Sequence, residues 1–369
     1  MKIAIIADAL DYQYAGIYYY TKELIHALAK IDKKNEYWIV RSNSEGDISD
    51  NVKELIIPTP SFPGAAPFRL FVTIPRILAQ KKVDIVIEPR HFGPFNLPKK
   101  IKRITVIHDL SPLRFPQWHQ FVSRKLQQLF LPSILKRADH IITNSQFTAQ
   151  DVIDYFPFAA KKTSGIWLGK EDFFQPQSTT PTLLKKHSIT APYLLHTGTI
   201  EPRKNLAFLV KAFEQLKKER KIDLQLVLVG KLGWKNEDLL KLIDQSPVKT
   251  DIKLLGYVDR DELPALYTAA TAFVYPSHFE GFGLPVLEAM SCGTPVIVSD
   301  VSSLPEIIGP AGLTFIPNNQ DDLIEKVSQL LDNGLLRLAL SKKSLLQAAQ
   351  FNWENTASQT LAIFESLLN

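Results

Sequence analysis

Short apolar segments rich in β-branched residues alternate along the chain with longer amphipathic segments. The short segments have the length and composition of buried parallel strands, and the longer ones repeat apolar positions at helical spacing. Residues 206–218 show the helical spacing, with apolar side chains at Leu206, Leu209, Val210, Phe213 and Leu216. This alternation predicts a doubly wound α/β architecture with parallel sheets.

The predicted strands fall into two groups along the chain. In the first half they are residues 2–7, 37–40, 84–87, 104–107 and 140–143. In the second half they are residues 193–196, 225–229, 252–254, 272–275 and 295–298. Between the groups, the polar residues 171–182 include Pro176 and Pro181 and are predicted to form an interdomain linker.

Composition agrees with a two-domain protein. A chain of 369 residues is too long for one ordinary core, and 45% hydrophobic with 22% charged residues is normal for a globular protein. A single cysteine, Cys292, excludes an internal disulfide and favours a reducing compartment. The first residues enter a strand directly and lack the apolar stretch of a signal peptide. We therefore expect a cytoplasmic protein, with peripheral contact at the inner face of the plasma membrane as a further expectation.

Charge is distributed unevenly. Residues 51–150 contain 15 Lys and Arg against 5 Asp and Glu, whereas residues 251–369 contain 6 against 14. This asymmetry indicates that the first half faces an anionic partner, and the alternative is a solvated basic surface with no partner. An anionic membrane is the expected partner, and no nucleic acid is expected.

Residues 277–300 carry the most informative pattern of the chain. A loop with two glycines precedes a predicted helix that has Pro285 in its first turn and Gly293 at its end. The free N–H groups at such a helix start favour a phosphate. Glu280 in the loop and Glu288 about one turn into the helix are expected to bind hydroxyls, because acids beside a phosphate are unfavourable as charges. The pattern predicts a nucleotide-sugar site; the alternative is a plain helix start with two incidental acids.

A second candidate segment follows the first strand of the second half. Gly198 allows close backbone approach, and Arg203 with Lys204 places two cations at the carboxyl end of a strand, where open α/β sheets bind ligands. An Arg fork and a Lys point charge together suit a pyrophosphate. The alternative is an exposed basic turn.

In the first half, His108 and Asp109 also follow a strand. His108 is expected to face a ligand, with a hydrogen-bonded structural histidine as the alternative, and Asp109 is expected either to orient the His108 ring or to cap the next turn. Residues 8–17 lack the dinucleotide-binding glycine pattern. Ser145 is predicted to cap a helix at residues 146–153. No cluster has metal-ligand spacing, so neither a metal nor a cofactor is expected.

These motifs resemble the retaining glycosyltransferases of family 4, also called group 1. Glu280 and Glu288 match that family's Glu pair, and the intervening Gly-Phe-Gly-Leu-Pro is also present. The resemblance implies the GT-B fold, in which two Rossmann-like domains with parallel sheets face each other across a cleft. It implies an acceptor-side domain at residues 1–175, a nucleotide-sugar domain at 184–350, and a terminal helix at 351–369 that crosses back to the first domain.

The resemblance also implies roles for individual residues. Glu280 contacts the donor sugar, Glu288 the ribose, and Arg203 with Lys204 the diphosphate; His108 approaches the reacting carbon. Further donor contacts, largely through the backbone, are implied for Gly16, Gly198, Gly230, Tyr257, Val258, Gly281, Phe282, Gly283 and Leu284. The departing diphosphate is thus expected to be stabilised without a metal ion.

Residues 108–116, with the Ile-Glu-Pro-Arg-Lys-Asn stretch, look most like bacterial mannosyl- and rhamnosyltransferases of surface polysaccharide assembly. The implied reaction moves a hexose from a nucleotide-diphosphate sugar to a hydroxyl of a glycan or lipid-linked saccharide, with retention. An apolar and basic stretch at residues 63–71 is expected to touch lipid. Two alternatives stay open: another sugar-nucleotide enzyme, such as an epimerase or phosphorylase, and a noncatalytic nucleotide-sugar-binding subunit.

Overall fold

The structure is a computed structural model that describes residues 1–12, 15–43, 52–93, 96–119, 121–178, 180–190 and 192–369. The chain divides into two compact units. The first unit contains residues 1–169 together with 352–369, and the second contains residues 170–351.

The first unit is built on a parallel sheet of seven strands among the described residues. The strands are β1 (Lys2–Ile6), β2 (Glu36–Arg41), β3 (Lys53–Ile56), β4 (Ile85–Glu88), β5 (Lys102–Ile107), β6 (His140–Thr143) and β7 (Thr163–Gly165). Their spatial order is β3-β2-β1-β4-β5-β6-β7. In register, Ile3 lies opposite Tyr37 on one side and Ile85 on the other. After β1 the chain adds β2 and β3 on one side and then β4 on the other side of β1. The carboxyl ends of β1 and β4 therefore lie beside each other.

Helices surround this first sheet. They are α1 (Ala9–Tyr12), α2 (Ala15–Ile31), α3 (Ala65–Phe68), α4 (Ile74–Gln80), α5 (Ser111–Arg114), α6 (Phe121–Arg137) and α7 (Gln146–Tyr155). A π-helical turn at Arg69–Thr73 joins α3 to α4, and 3-10 turns lie at Pro116–Trp118 and Pro157–Lys162. The central strands are buried on both faces, as is usual for parallel sheets covered by helices.

The second unit repeats this plan with six described parallel strands. They are β8 (Tyr193–Thr197), β9 (Gln225–Val229), β10 (Ile252–Gly256), β11 (Ala272–Tyr275), β12 (Val296–Ser299) and β13 (Leu313–Phe315), in the order β10-β9-β8-β11-β12-β13. In its core, buried side chains of these strands pack against the apolar side of the helix that begins at Leu206.

The helices of the second unit follow the same alternation. They are α8 (Pro181–Lys186), α9 (Leu206–Arg220), α10 (Glu237–Gln245), α11 (Leu263–Ala269), α12 (Leu284–Ser291), α13 (Leu304–Ile308), α14 (Gln320–Asp332) and α15 (Gly334–Ala348). Short 3-10 turns lie at Pro202–Lys204, Lys249–Asp251, Arg260–Glu262 and Gly309–Ala311.

The last helix, α16 (Trp353–Ser366), belongs to the first unit. Trp353 packs edge-on against Tyr20 of α2 at 6.1 Å between ring centroids. Thr356 donates a hydrogen bond to the carbonyl of Trp167 at 2.7 Å, and Gly169 lies so close to Trp353 that a Cβ would meet its backbone nitrogen at 2.3 Å. This packing joins the end of the chain to the sheet on which the chain begins.

The structure confirms each strand predicted from the sequence, with bounds that differ by at most two residues. It also contains three strands that were not predicted, β3, β7 and β13. All three lie at or beside an edge of a sheet, are short, and are largely half-buried or exposed, so they lack the continuous apolar run of a central strand. None of the described helices is long and apolar enough to cross a bilayer.

Candidate functional site

The glycine loop and α12 have the geometry that the sequence predicts. Gly283 precedes the helix with φ of +105°, a conformation that L side chains rarely adopt, and its carbonyl accepts from the N–H of Val286 at 2.9 Å. A Cβ on Gly283 would lie 2.9 Å from Leu304 Cδ2. Pro285 is in the first turn, and Gly293 follows the helix with φ of +74°. The helix start therefore depends on glycine for both conformation and space.

Glu280 lies in this loop and binds both cations of the other candidate segment. Its Oε1 is 2.7 Å from Lys204 Nζ, and its Oε2 is 2.6 Å from Arg203 Nη1. Arg203 also binds Glu201 at 2.7 Å and donates to the carbonyl of Phe279 at 2.9 Å. Lys204 additionally donates to the hydroxyl of Tyr275 at 2.5 Å. Two acids and two bases thus form one network.

Burial makes this network electrostatically strong. Glu280 is 6% exposed and Lys204 is 5% exposed. Burial alone would raise the pKa of Glu280, but Arg203 and Lys204 outweigh it and hold the pKa at about 2. Burial and the neighbouring Arg203 lower the pKa of Lys204, while Glu280 opposes that shift. The carboxylate is therefore ionised at neutral pH, and its negative charge favours the charged form of Lys204.

The sequence did not predict this pairing. Arg203 and Lys204 were expected to bind a diphosphate, and Glu280 a hydroxyl. In the structure Glu280 and Glu201 balance both cations. An anion bound here shares Arg203 and Lys204 with Glu280. The two cations are already desolvated and held in position before the anion binds.

Two serines fasten the glycine loop, and they belong to the segment 302–306, which resembles a family segment expected to close over the donor phosphates. Ser302 Oγ accepts from the backbone N–H of Glu280 at 2.9 Å. Ser303 Oγ is fully buried and lies 3.1 Å from the carbonyl of Glu280 and 2.9 Å from that of Phe282. The Ser-Ser-Leu-Pro segment after β12 was the available signal, since hydroxyls before a helix commonly bind nearby backbone groups.

The carboxyl ends of β8 and β9 meet through two glycines. Gly198 and Gly230 have φ of +135° and +148°, and a Cβ on Gly230 would lie 1.9 Å from the carbonyl oxygen of Gly198. A Cβ on Gly198 would meet nothing nearer than Lys204 Cε at 3.8 Å. Gly230 therefore serves close strand packing, whereas Gly198 leaves open space in front of Lys204.

Glu288 lies within α12 and binds a second buried network. Its Oε2 accepts from the hydroxyl of Tyr267 at 2.8 Å, and that hydroxyl also lies 2.5 Å from Thr197 Oγ1. The Glu288 side chain keeps some solvent contact, yet desolvation raises its pKa to about 7, Glu171 adds to the shift and the Tyr267 hydrogen bond opposes it. Tyr267 thus orients this acid.

The remaining predicted pocket residues lie near the ends of β9 and β10. Tyr257 is 64% exposed, and Lys231 Nζ lies 4.9 Å from the centroid of its ring. Val258 beside it is buried. An exposed aromatic ring next to a cation offers a flat surface for a planar ligand group.

His108 and Asp109 lie in the first unit, after β5. His108 Nε2 is 2.7 Å from the carbonyl oxygen of Pro89, and burial with the neighbouring His91 lowers the pKa of His108 to about 4. The ring is therefore neutral at pH 7 and donates to Pro89, which leaves Nδ1 to accept a hydrogen bond. Asp109 does not orient this ring. It accepts from the N–H and hydroxyl of Ser111 at 2.8 and 2.6 Å, which confirms the capping alternative.

Other predicted positions in the first unit have plainer surroundings. Gly16 lies in the first turn of α2, and residues 13 and 14 of the candidate segment 8–17 lie outside the described residues. Ser145 caps α7 by accepting from the N–H of Thr148 at 3.0 Å, as predicted. Across the described ranges, no group of three His, Cys, Asp or Glu residues is arranged to hold a metal ion.

The apolar and basic stretch at residues 63–71 differs from its prediction. Phe68 is exposed, but Arg69 turns inward and is 3% exposed, with Asp8 at 2.7 Å from its Nη1. The stretch therefore presents apolar surface without the basic charge that was expected to meet lipid.

Known proteins similar to this chain agree with the family that its motifs resemble. Residues 181–346 match the family model described as glycosyl transferases group 1, and residues 14–169 match glycosyltransferase family 4. The chain is 33% identical over 385 residues to the O-antigen chain mannosyltransferase B of Escherichia coli, with 100% of both chains covered. It is 33% identical over 280 residues to the serotype-specific mannosyltransferase WbdA of Escherichia coli, covering 72% of this chain and 34% of WbdA.

Solved structures show the same fold. The crystal structure of Anabaena HepE in complex with UDP-glucose superposes with a TM-score of 0.75 at 16% identity, covering 99% of this chain and 100% of the other.

Proposed function

The chain belongs to the group 1 and family 4 glycosyltransferases and has their GT-B fold, and on that premise we propose that it moves a hexose, mannose or a similar sugar, from a nucleotide-diphosphate sugar to a hydroxyl of a glycan or lipid-linked saccharide, with retention at the anomeric carbon. That the protein is a glycosyltransferase acting on a glycan follows from its mannosyltransferase relatives. The donor class, the stereochemistry and the roles of individual residues are the content of the proposal.

The observation that carries the proposal is the network of Glu280, Arg203 and Lys204 beside the start of α12. In glycosyl transfer the bond between the anomeric carbon and the diphosphate breaks, and negative charge grows on the departing phosphate. Arg203 and Lys204 stabilise that charge, because Glu280 holds both in place before the reaction and both side chains are largely buried. The phosphate competes with Glu280 for the two cations, and the Glu280 oxygens accept hydrogen bonds from the donor sugar.

The rest of the donor is bound along the same end of the second sheet. The backbone of residues 281–284 offers N–H groups at the start of α12, as in other anion sites at helix starts. Glu288, oriented by Tyr267, accepts from the ribose hydroxyls. Gly230, Tyr257 and Val258 border the base, and Tyr257 supplies an exposed ring on which a base can stack.

His108 is proposed to accept a hydrogen bond from a sugar hydroxyl, whereas the sequence left its role near the reacting carbon open. Since its Nε2 donates to Pro89, a sugar hydroxyl can only donate to Nδ1, and the neutral ring adds no positive charge near the anomeric carbon. This geometry suits a reaction in which positive charge develops on the sugar. The new bond forms between the acceptor oxygen and the anomeric carbon, and the acceptor's proton leaves with the diphosphate or to solvent.

The names of related proteins support this donor and acceptor. HepE, which shares the fold, was crystallised with UDP-glucose, and the full-length relative is named for adding mannose to an O-antigen chain. We further propose that transfer needs no metal ion, because Arg203 and Lys204 supply the positive charge. Contact with an anionic membrane at the inner face of the plasma membrane remains part of the proposal, supported by the basic balance of residues 51–150.

The test is a donor and product assay. The enzyme is incubated with GDP-, UDP-, dTDP- and ADP-hexoses and a glycoside acceptor, and both nucleotide release and the anomeric coupling constant of the product are measured. Arg203→Ala is expected to lower kcat/KM by about 30- to 1,000-fold, the range for loss of one donor to developing charge. Retained activity in excess chelator is expected. A loss below tenfold in the variant, or an inverted product, contradicts the proposal.

A further inference from the structure

Positive charge gathers at the edge of the first sheet where its strands begin. β5, β6 and β7 run parallel, so their first residues share this edge, and α6 ends there just before β6. His108 and Asp109 follow the opposite end of β5. Four cations of this edge form what we call the amino-edge cluster: Lys102, Arg103, Arg137 and Lys162.

Arg103 is the buried member of the cluster, and its guanidinium is unpaired. The residue is 6% exposed, and its Nε and Nη1 are buried with no hydrogen-bond partner within the described part of the chain. Two other described arginines are as buried, and each pairs with an aspartate: Arg41 with Asp11 at 2.9 Å and Arg69 with Asp8 at 2.7 Å. A buried charge is normally paired, so Arg103 is the exception among these three.

The acid beside Arg103 is already engaged. Asp139 Oδ2 accepts from the backbone N–H of Arg103 at 2.8 Å, and its Oδ1 lies 3.4 Å from Lys102 Nζ. Burial, together with repulsion from Arg137, lowers the pKa of Arg103 to about 10, and Asp139 opposes that shift. Arg103 is therefore charged at pH 7, but its surroundings disfavour the charge.

Lys162 fixes a further positive charge at the end of α6. Its Nζ donates to the carbonyl of Lys136 at 3.0 Å and to that of Ala138 at 2.6 Å. These bonds use two of the three N–H groups of the ammonium. The cluster thus sets four positive charges against the single carboxylate of Asp139, with a further N–H of Lys162 available to a ligand.

We propose that a phosphate-type anion binds at the amino-edge cluster and balances the charge of Arg103. A guanidinium and ammonium groups together suit a phosphate, since the first offers a planar fork and the others point charges. The same chemistry is presented by free inorganic phosphate and by the phosphate of an anionic lipid headgroup. The site is separate from the proposed donor site, whose cations Arg203 and Lys204 lie in the second unit.

Replacement of Arg103 by Met gives a prediction with two signs. Because the substitution removes an unpaired buried charge and keeps an apolar side chain, the Tm in chloride buffer should rise by about 2–4 °C. Phosphate at the same ionic strength should raise the Tm of the unaltered protein, and Arg103→Met should lose that gain, with phosphate affinity at least about tenfold weaker. The measurements are calorimetric melting and titration followed by phosphorus NMR.

Two control variants locate the effect. Arg76→Met removes an exposed arginine from α4 of the same unit and should keep the full gain from phosphate. Arg203→Ala should also keep it, which separates the cluster from any phosphate bound in the second unit. Lys102→Gln alters a partly exposed member of the cluster and should weaken phosphate binding about threefold.

Flotation with vesicles distinguishes the two sources of phosphate. Binding to phosphatidylglycerol but not to phosphatidylcholine vesicles, reduced in Arg103→Met, assigns the site to a lipid headgroup; a gain from phosphate without vesicle binding assigns it to a free anion. The proposal is overturned if neither phosphate nor vesicles bind, or if Arg103→Met or Lys102→Gln binds as tightly as the unaltered protein. A lower Tm of Arg103→Met in chloride also overturns it, because the guanidinium would then already be compensated within the fold.

Discussion

Replacement of Glu280 by Gln tests whether the buried charges of the second unit act as one network. The side chain pairs with Lys204 Nζ at 2.7 Å and Arg203 Nη1 at 2.6 Å, and Glu201 completes a set of two acids and two bases. The substitution keeps the shape of the side chain but changes the balance of the network from zero to +1. It also turns an amide donor or acceptor toward each cation, so only one of the two bonds can be kept.

The expected cost follows from distance and burial. At 2.7 Å the Lys204–Glu280 attraction is about 6 kcal/mol for an effective dielectric constant near 20, before desolvation is subtracted. Removing one member of a buried pair typically costs about 3–5 kcal/mol, because the other charge stays buried and uncompensated. For a unit of this size that corresponds to a fall in Tm of roughly 6–20 °C. Part of the loss disappears at high pH, where Lys204 can lose its proton.

The assay is differential scanning calorimetry with and without a nucleoside diphosphate. Because the diphosphate brings negative charge to the same two cations, it should raise the Tm of Glu280→Gln more than that of the unaltered protein, while sugar transfer is lost. Glu262→Gln provides the control, since Glu262 pairs with the more exposed Lys186 and with His187, and its loss should lower the Tm much less. If Glu280→Gln melts with the unaltered protein and gains no more from nucleotide, the charges are not coupled and the reasoning is wrong.

Three further predictions concern other parts of the site and fold. Folding raises the pKa of Glu288 to about 7, so the free energy of unfolding should fall as pH rises from 4.5 through 7. The affinity for nucleotide should increase about tenfold between pH 6 and 8, because ionised Glu288 accepts from the ribose. Calorimetry should show that Glu288→Gln flattens both pH profiles. Gly230→Ala should destabilise the protein by well over the 1–3 kcal/mol of backbone strain, because its Cβ would meet a carbonyl at 1.9 Å, whereas Gly198→Ala should cost only that strain; equal Tm values for the two variants would contradict this. Ser145→Ala should lower the free energy of unfolding in urea by about 1 kcal/mol, because α7 loses its N-cap. An unchanged urea midpoint would show that this cap does not stabilise the protein.

Much of the fold was predictable because it depends on local pattern. Buried strands and amphipathic helices differ in period, so the alternation of the two fixed the architecture and the approximate bounds of the central elements. Gly283 and Gly293 marked the limits of α12, since few other residues adopt their positive φ. The edge strands β3, β7 and β13 carried no such signal, because a half-exposed strand needs no continuous apolar run.

The sequence by itself determined which chemical groups the site contains: acids at 280 and 288, cations at 203 and 204, and glycines where backbones approach closely. Their gathering at one end of the second sheet also followed from parallel strands, whose carboxyl ends share an edge. Only the tertiary structure decided the pairing, with Glu280 neutralising both cations and Tyr267 holding Glu288. It alone turned Arg69 inward, where Asp8 binds it. Periodicity reports which face of an element is buried, but the partner of a buried charge depends on how distant loops fold together and on how much water they exclude.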